Sequence, residues 1–436
     1  MKNKKLSAIF LILFLFSGIN IMGVAGKKLN LEEAISEALE NNTLIKESEE
    51  MVRASLSEKK SAERDLYPKF STNYSYNRLT FSPEVSFMNQ SFPFGPKNNF
   101  SWNVGVLQPI FMGNRLRIKA KLAGLGVNIK KLKRENALLD VVEMTKIAYF
   151  QVLLARRGVE IAEEEVSQLK SHLKDAKNLY KEGMIPHNDL LKSQVAYAAA
   201  KENLVKAKSN LKVAISNLNR ILRRKIDEDT DIEDINRPEF KEYVLKSLYD
   251  EALQKRPEIK LLNEQLKQAN LMVKLSRSSY YPDVYLVGRY EQEGDNPWAT
   301  NNDYRNYHNF MFGIQLKWNF YECGKKGYEV KRRKFERNAL FEKIKGVKDS
   351  ILLEVKSSYE NLEVSKKNID TARIALKQAR ENYRITNLRY REGITNSTEV
   401  LDARTYLTEA EVHYYGALYG YFISEAKLLR AVGRKR

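Results

Sequence analysis

The chain is predicted to be a mixed α and transmembrane β protein, with long antiparallel coiled-coil helices and four β-strands arranged as an internal two-fold repeat. Three observations predict this class. Two stretches, 117–182 and 325–392, run without proline or any long break, and at 1.5 Å per residue each would span roughly 100 Å as a helix. Four short segments alternate large apolar with small polar residues, the period of a two-faced strand. Short motifs also recur in the same order along the chain, as duplication of one unit would leave them.

The repeat organises the rest. Glu37-Ala38-Leu39 returns at Glu251-Ala252-Leu253 and Tyr67-Pro68 at Tyr281-Pro282, both at an offset of 214. Leu107 and Phe111 match Leu316 and Phe320 at 209, and YKEGMIPHNDLL (180–191) matches YREGITNSTEVL (390–401) at 210. Two structural units are expected, 27–243 and 244–436.

Residues 1–26 are set aside as an export signal, because Lys2, Lys4 and Lys5 precede the apolar run 9–16 and the small-residue exit Val24-Ala25-Gly26. That run is too short to span a bilayer, and no later window holds the ~18 consecutive apolar residues of a membrane helix. Lys27 stands where a lipid anchor would need cysteine. The single cysteine, Cys323, can form no internal disulfide. Packing and assembly must hold the fold.

Each unit opens with a helix, expected over 31–66 and 244–280, that stops where Tyr67 or Tyr281 precedes proline. Strands follow at about 69–78, 99–111, 283–291 and 310–321. In the first, Phe70, Thr72, Tyr74 and Tyr76 alternate with Ser71, Asn73, Ser75 and Asn77; in the last, Phe310, Phe312, Ile314, Leu316, Trp318 and Phe320 share one face. Such strands suit barrel staves in lipid. A soluble half-buried hairpin would alternate in the same way, but four strands bury little of so aromatic a face alone. If lipid is the cover, four strands cannot close a barrel and open edges are not tolerated in hydrocarbon. Several chains must then share one barrel.

The long helices carry a coiled-coil seam. Val159, Ala162, Leu169, Leu173, Ala176 and Tyr180 step by threes, fours and their sums, and each has a counterpart 210 residues on, from Ile369 to Tyr390. Gly183 and Gly393 are expected to end the outgoing helices, with Asn188 and Ser397 as N-caps of the return. Two hairpin tips, 183–188 and 393–398, thus lie together, far from the strands.

In this order, the repeated EAL, the repeated YP, LQPIFMGN with LKWNFYECGK, and the two YxEG turns make the chain resemble the TolC-type outer-membrane efflux channels over nearly its whole mature length. The resemblance implies a homotrimer whose four strands per chain form one 12-stranded β-barrel in outer-membrane lipid, above a helical α-barrel tunnel in the periplasm. It implies an exit duct for efflux or type I secretion, coupled through a periplasmic adaptor to an inner-membrane pump. It also implies adaptor docking at Gly183, Met184 and Ile185 in one tip and Gly393, Ile394 and Thr395 in the other. The gate positions it implies are Glu399 and Asp402, with Asp189 in the first tip and Tyr390 able to hydrogen-bond across it. Some family members close the tip with an arginine just past the second glycine, where this chain has Ile394-Thr395. Spaced i, i+3, the two acids share a helix face, and acids in a first turn also suit the helix dipole wherever they occur.

Net charge is +19, or +16 without the three signal lysines. The bases are read as dispersed among acids on solvated helices, and no nucleic-acid partner is expected of an exported chain. Catalytic and cofactor signatures are missing: His172, His187, His308 and His413 have no metal-ligand spacing, and GLGVNI (124–129) lacks the third glycine of a dinucleotide loop. Neither an enzyme, a metal nor a cofactor is expected. The rival reading is a soluble periplasmic coiled-coil adaptor or structural spacer whose strands form an ordinary β-domain.

Overall fold

The computed structural model describes residues 28–88, 90–235 and 239–435; the expected signal at 1–26 lies outside them. Helix α1 (Leu31–Asn41) starts with a capping box, Asn30 accepting from the Glu33 amide at 2.8 Å. The single helix expected over 31–66 breaks at Asn42, which is extended (φ −60, ψ 135) and caps α2 (Thr43–Arg64) through the Leu44 amide. Its side-chain amide also donates to the Ile221 carbonyl at 2.8 Å, across 179 residues of sequence. The second unit breaks at the equivalent place: α5 (Leu245–Lys255) and α6 (Pro257–Arg277) flank Arg256, held extended before proline.

Among the described residues six strands form two sheets: β1 (Lys69–Arg78), β2 (Glu84–Phe87), β3 (Gln90–Pro93), β4 (Asn98–Phe111), β5 (Asp283–Gly294) and β6 (His308–Lys317). The main sheet has order β1-β4-β5-β6, antiparallel throughout, so β4 and β5 join the two halves. The hairpin β2-β3 occupies what read as a loop between the first two strands. β6 stops at Lys317, which pairs with Asp283, the first residue of β5, so Trp318 and Phe320 have no rung to join. Instead the Trp318 indole N–H donates to the Tyr280 carbonyl at 3.1 Å.

Register sorts the sheet into two faces. Phe70 opposes Val106, Tyr74 opposes Trp102, Tyr290 opposes Phe310 and Ile314 opposes Leu286 on one face. Asn73, Asn103, Glu291 and Asn309 form one rung of the other. The apolar face is open: Phe70 is 75% exposed and Ile314 74%. One edge of β1 and one of β6 carry no partner strand among the described residues.

Helices α3 (Arg115–Lys181) and α7 (Lys325–Arg391) are 67 residues each, about 100 Å at 1.5 Å per residue. α4 (His187–Leu222) and α8 (Ser397–Val432) return along them. Below the sheet α2, α3, α6 and α7 pack side by side in that order. The main core lies midway along the bundle, where α1, α5 and the segment after α4 wrap the long helices around Tyr149, Leu153 and Phe422. The Tyr149 hydroxyl ties down the wrap by donating to the Leu29 and Glu233 carbonyls at 3.0 and 2.5 Å. No helix among the described residues is long and apolar enough to cross a membrane.

Candidate functional site: the hairpin tips

The chain turns at each tip because glycine can take a left-handed conformation without steric cost. Gly183 has φ +75 and Gly393 φ +71. Their amides bond to the Tyr180 and Tyr390 carbonyls, and those of Met184 and Ile394 reach back to Leu179 and Arg389 at 2.8 and 2.9 Å. This paired closure satisfies helix-end carbonyls in both turns. The N-caps fall one or two residues earlier than expected: Pro186 precedes α4, and Asn396 caps α8 by accepting from the Glu399 amide at 3.1 Å. Ser397 is unavailable for capping, because its hydroxyl is buried in a polar cluster.

That cluster joins both hairpins. His172 Nε2 lies 2.7 Å from Ser397 Oγ, which is 2.9 Å from Ser193 Oγ, which in turn donates to the Asp189 carbonyl at 2.9 Å. Tyr390 is wholly buried with its ring 4.6 Å from that of His172. The Tyr390 hydroxyl has no partner of full hydrogen-bond geometry among the described residues; the bond expected from it across the tip would fall to the Ser397 hydroxyl beside it. Burial raises the Tyr390 pKa, a shift the nearby Ser397 hydroxyl opposes. Burial also lowers the His172 pKa to about 4 despite the fields of Asp175 and Asp189, so the imidazole is neutral at physiological pH. Ala176, Leu190, Tyr383, Val400 and Ala403 pack around this cluster.

Glu399 and Asp402 are both exposed on the first turns of α8, sharing a face that points away from the seam. Asp189 does not share it: only 7% exposed, it sits inside the tip with Lys192 at 3.8 Å. Met184 is 58% exposed and Ile394 65%, while Ile185 packs on the tip cluster and the Thr395 hydroxyl is buried without a partner. The two tips touch, since a Cβ on Gly393 would meet Met184 Cε at 3.5 Å. Arg391, two residues before the second glycine, pairs through Nε with Asp175 Oδ2 at 3.1 Å, linking the end of α7 to α3.

Four residues that motif reading passed over now stand out. His172 and Ser193 complete the tip cluster. Two turns below it Arg404 is 1% exposed, its three guanidinium nitrogens without a hydrogen bond, 3.6 Å from Glu411 Oε2 and 5.8 Å from the Tyr383 ring centre. Burial raises the Glu411 pKa even against the Arg404 charge. The available signal was a charge at a seam position, since Val400, Arg404, Leu407 and Glu411 step by four, three and four. Among the described residues no group of three or more His, Cys, Asp or Glu side chains could hold a metal ion.

The described geometry matches known proteins. The profile of the family described as outer membrane efflux protein matches residues 34–222 and 248–434, one stretch in each half. Outer membrane protein TolC of Escherichia coli (strain K12) is 23% identical over 350 residues, 77% of this chain and 70% of that protein. Its namesake from Salmonella enteritidis is 22% identical over 446 residues, covering 99% of this chain and 87% of the relative. Among solved structures, the Campylobacter jejuni CmeC outer membrane channel superposes with TM-score 0.78 at 18% identity, over 92% of this chain and 85% of that one. The open state of the Neisseria gonorrhoeae MtrE outer membrane channel gives 0.73 at 17%, over 93% and 89%. The chain belongs to the outer membrane efflux protein family, and is an outer-membrane exit duct whose long helices stand in the periplasm.

Proposed function

We propose that three copies of the chain close one twelve-stranded barrel in the outer membrane and one helical tunnel beneath it. The tips then dock a periplasmic adaptor that couples the duct to an inner-membrane pump of an efflux or type I secretion system. One observation carries this reading: a sheet with an exposed apolar face keeps two unpaired edges, on β1 and β6. Hydrocarbon does not tolerate such edges, and pairing β1 of one copy with β6 of the next removes them all. The units 27–243 and 244–436 each contribute two strands and one hairpin to this assembly.

Adaptor docking is assigned to Gly183, Met184, Ile185, Gly393, Ile394 and Thr395, with Met184 and Ile394 as the exposed apolar contacts. The gate is assigned to Glu399 and Asp402, whose carboxylates three copies would stack as two acidic rings that favour cations. Asp189 is left with a supporting role inside the tip, and Tyr390 with packing. The protein purified in detergent is expected to be a trimer that conducts in planar bilayers, with cation preference reduced in the Glu399→Ala, Asp402→Ala double variant. A water-soluble native monomer overturns the channel assembly, whereas unchanged selectivity in the double variant removes only the gate.

A further inference from the structure

The positive surplus is less dispersed than its sequence suggests. Residues 115–134, the strand-proximal end of α3, hold eight Lys and Arg and no acid. Arg115 pairs with Asp283 at 2.8 Å and Arg134 with Glu49 at 2.6 Å. Among the described residues Lys119, Lys130 and Lys133 form no ion pair; Lys119 only adds its field to that of Lys69 in lowering the Asp65 pKa.

The Arg115 pair orients this stretch. Asp283 alternates with the apolar positions of β5 and lies on the polar sheet face, in step with Glu291, so Arg115 marks the side of α3 that continues that face. Lys119, Leu122, Gly126, Lys130 and Lys133 follow Arg115 at steps of four, three, four, four and three, which keeps them on one helix face. On the same side a groove of about 820 Å³ is lined by all four adjacent helices, α2, α3, α6 and α7, as only the concave side of such a wall allows. Its floor is apolar, with Leu122, Ile129, Met272 and Leu340, and Gly126 leaves it open, since a Cβ there would touch nothing within 4 Å. Lys119 and Lys130 form its rim. Of the two acids present, Glu336 is held by Arg332 and Arg333, and Glu58 offsets one charge.

We propose that this groove is a solute-binding site inside the duct for anionic amphiphiles, molecules with a carboxylate or sulfate on an apolar body. The assignment rests on the channel reading above, because only a closed tunnel turns the concave face into a lumen. Its size is that of a small-molecule site, its floor takes the apolar body, and its unpaired ammonium groups take the anion. Three copies present the groove three times, upstream of the exit and beyond the acidic tip. The duct therefore changes sign along its length, and an anion that passes the tip meets attraction below the barrel.

The test uses the detergent-purified full-length assembly in planar bilayers, with decanoate below its micellar concentration as probe and decyltrimethylammonium as the cationic control. Decanoate is expected to reduce single-channel conductance of the natural protein, and the cation to leave it unchanged. In the Lys119→Gln, Lys130→Gln, Lys133→Gln variant the half-blocking concentration should rise about tenfold, equivalent to about 1.4 kcal/mol. Trimer mass and far-ultraviolet circular dichroism of the variant serve as the folding control; if they fail, Lys119→Gln alone is measured. Equal block of natural and variant channels, or equal block by the cation, overturns the groove assignment while the channel stands. A natural protein that never conducts overturns both.

Discussion

Acidifying the periplasmic helices from pH 7 to pH 4 is expected to loosen the tips through one side chain, His172. Burial lowers its pKa from 6.5 to about 4. The sign follows from linkage: between those values the unfolded or opened tip binds a proton that the closed tip does not, so closure weakens as pH falls. His172 therefore contributes its full stabilisation above pH 6.5 and loses it as pH drops through 4. At 1.36 kcal/mol per pKa unit the loss reaches about 3 kcal/mol near pH 4, roughly a hundredfold in the opening equilibrium. The charges facing the ring are Asp175 on α3, already paired with Arg391, and Asp189 on α4 beside Lys192. The remaining neighbours are the hydroxyls of Ser397 and Ser193 and the ring of Tyr390, none of which offsets a new positive charge. Amide hydrogen exchange over 179–190 and 388–400, corrected for the intrinsic pH dependence of exchange, measures the opening. Protection in the natural protein should fall about a hundredfold from pH 7 to pH 4, and in His172→Gln by less than tenfold. If the variant loses as much as the natural protein, carboxylates and not His172 govern acid opening.

Other substitutions separate packing from charge. The double replacement Arg404→Met, Glu411→Leu is expected to leave stability within about 1 kcal/mol or raise it, because a buried ion pair barely repays its desolvation, whereas Glu411→Ala alone strands the guanidinium and should cost about 3–5 kcal/mol; urea midpoints followed by far-ultraviolet circular dichroism decide. Gly393→Ala should cost roughly 1–2 kcal/mol from its left-handed backbone alone, since the added Cβ meets only Met184 Cε at an ordinary 3.5 Å; the midpoint shift should be the same with Met184→Ala present. Tyr149→Phe should cost about 1–3 kcal/mol by leaving the Glu233 carbonyl without its buried donor, although the Leu29 carbonyl keeps the Glu233 amide at 2.9 Å, and exchange protection of residues 28–35 should fall with it.

Periodicity carried most of the fold because the long helices and the strands each bury a regular stripe. The seam from Val159 to Ala176 and its copy from Ile369 to Thr386, with Tyr390 one turn further on, hold most of the buried residues of α3 and α7 near the tips. Features fixed by contacts remote in sequence were hidden. Asn42 breaks the first helix by donating to Ile221, and no local pattern announces a partner 179 residues away. Arg256 before Pro257 gave the same break a visible cause, and the repeat could have transferred it to Asn42. The tip cluster escaped for a related reason: His172, Ser193 and Ser397 are separated by up to 225 residues, and each alone is an unremarkable polar residue in a charged helix.

The two tips also show how far duplication constrains a site. Backbone geometry has been kept twice, because any other ending would leave helix carbonyls unsatisfied at the point most distant from the sheet. Side chains on the returning helices have diverged. In α4 the first-turn acid, Asp189, is turned into the hairpin and tied to Lys192 and the serine cluster; in α8 the acids Glu399 and Asp402 stay outside, and the buried position is taken by Ser397. Only the second returning helix therefore presents carboxylates on an exposed face in its first turns, while the first hairpin supplies the histidine that packs against Tyr390. Exchanging Asp189 for Asn should then disturb the tip's stability and leave ion selectivity where it is, the reverse of the Glu399 and Asp402 substitutions. Equal selectivity shifts from both hairpins would mean that the tips act alike and that the burial of Asp189 is lost in the assembled duct.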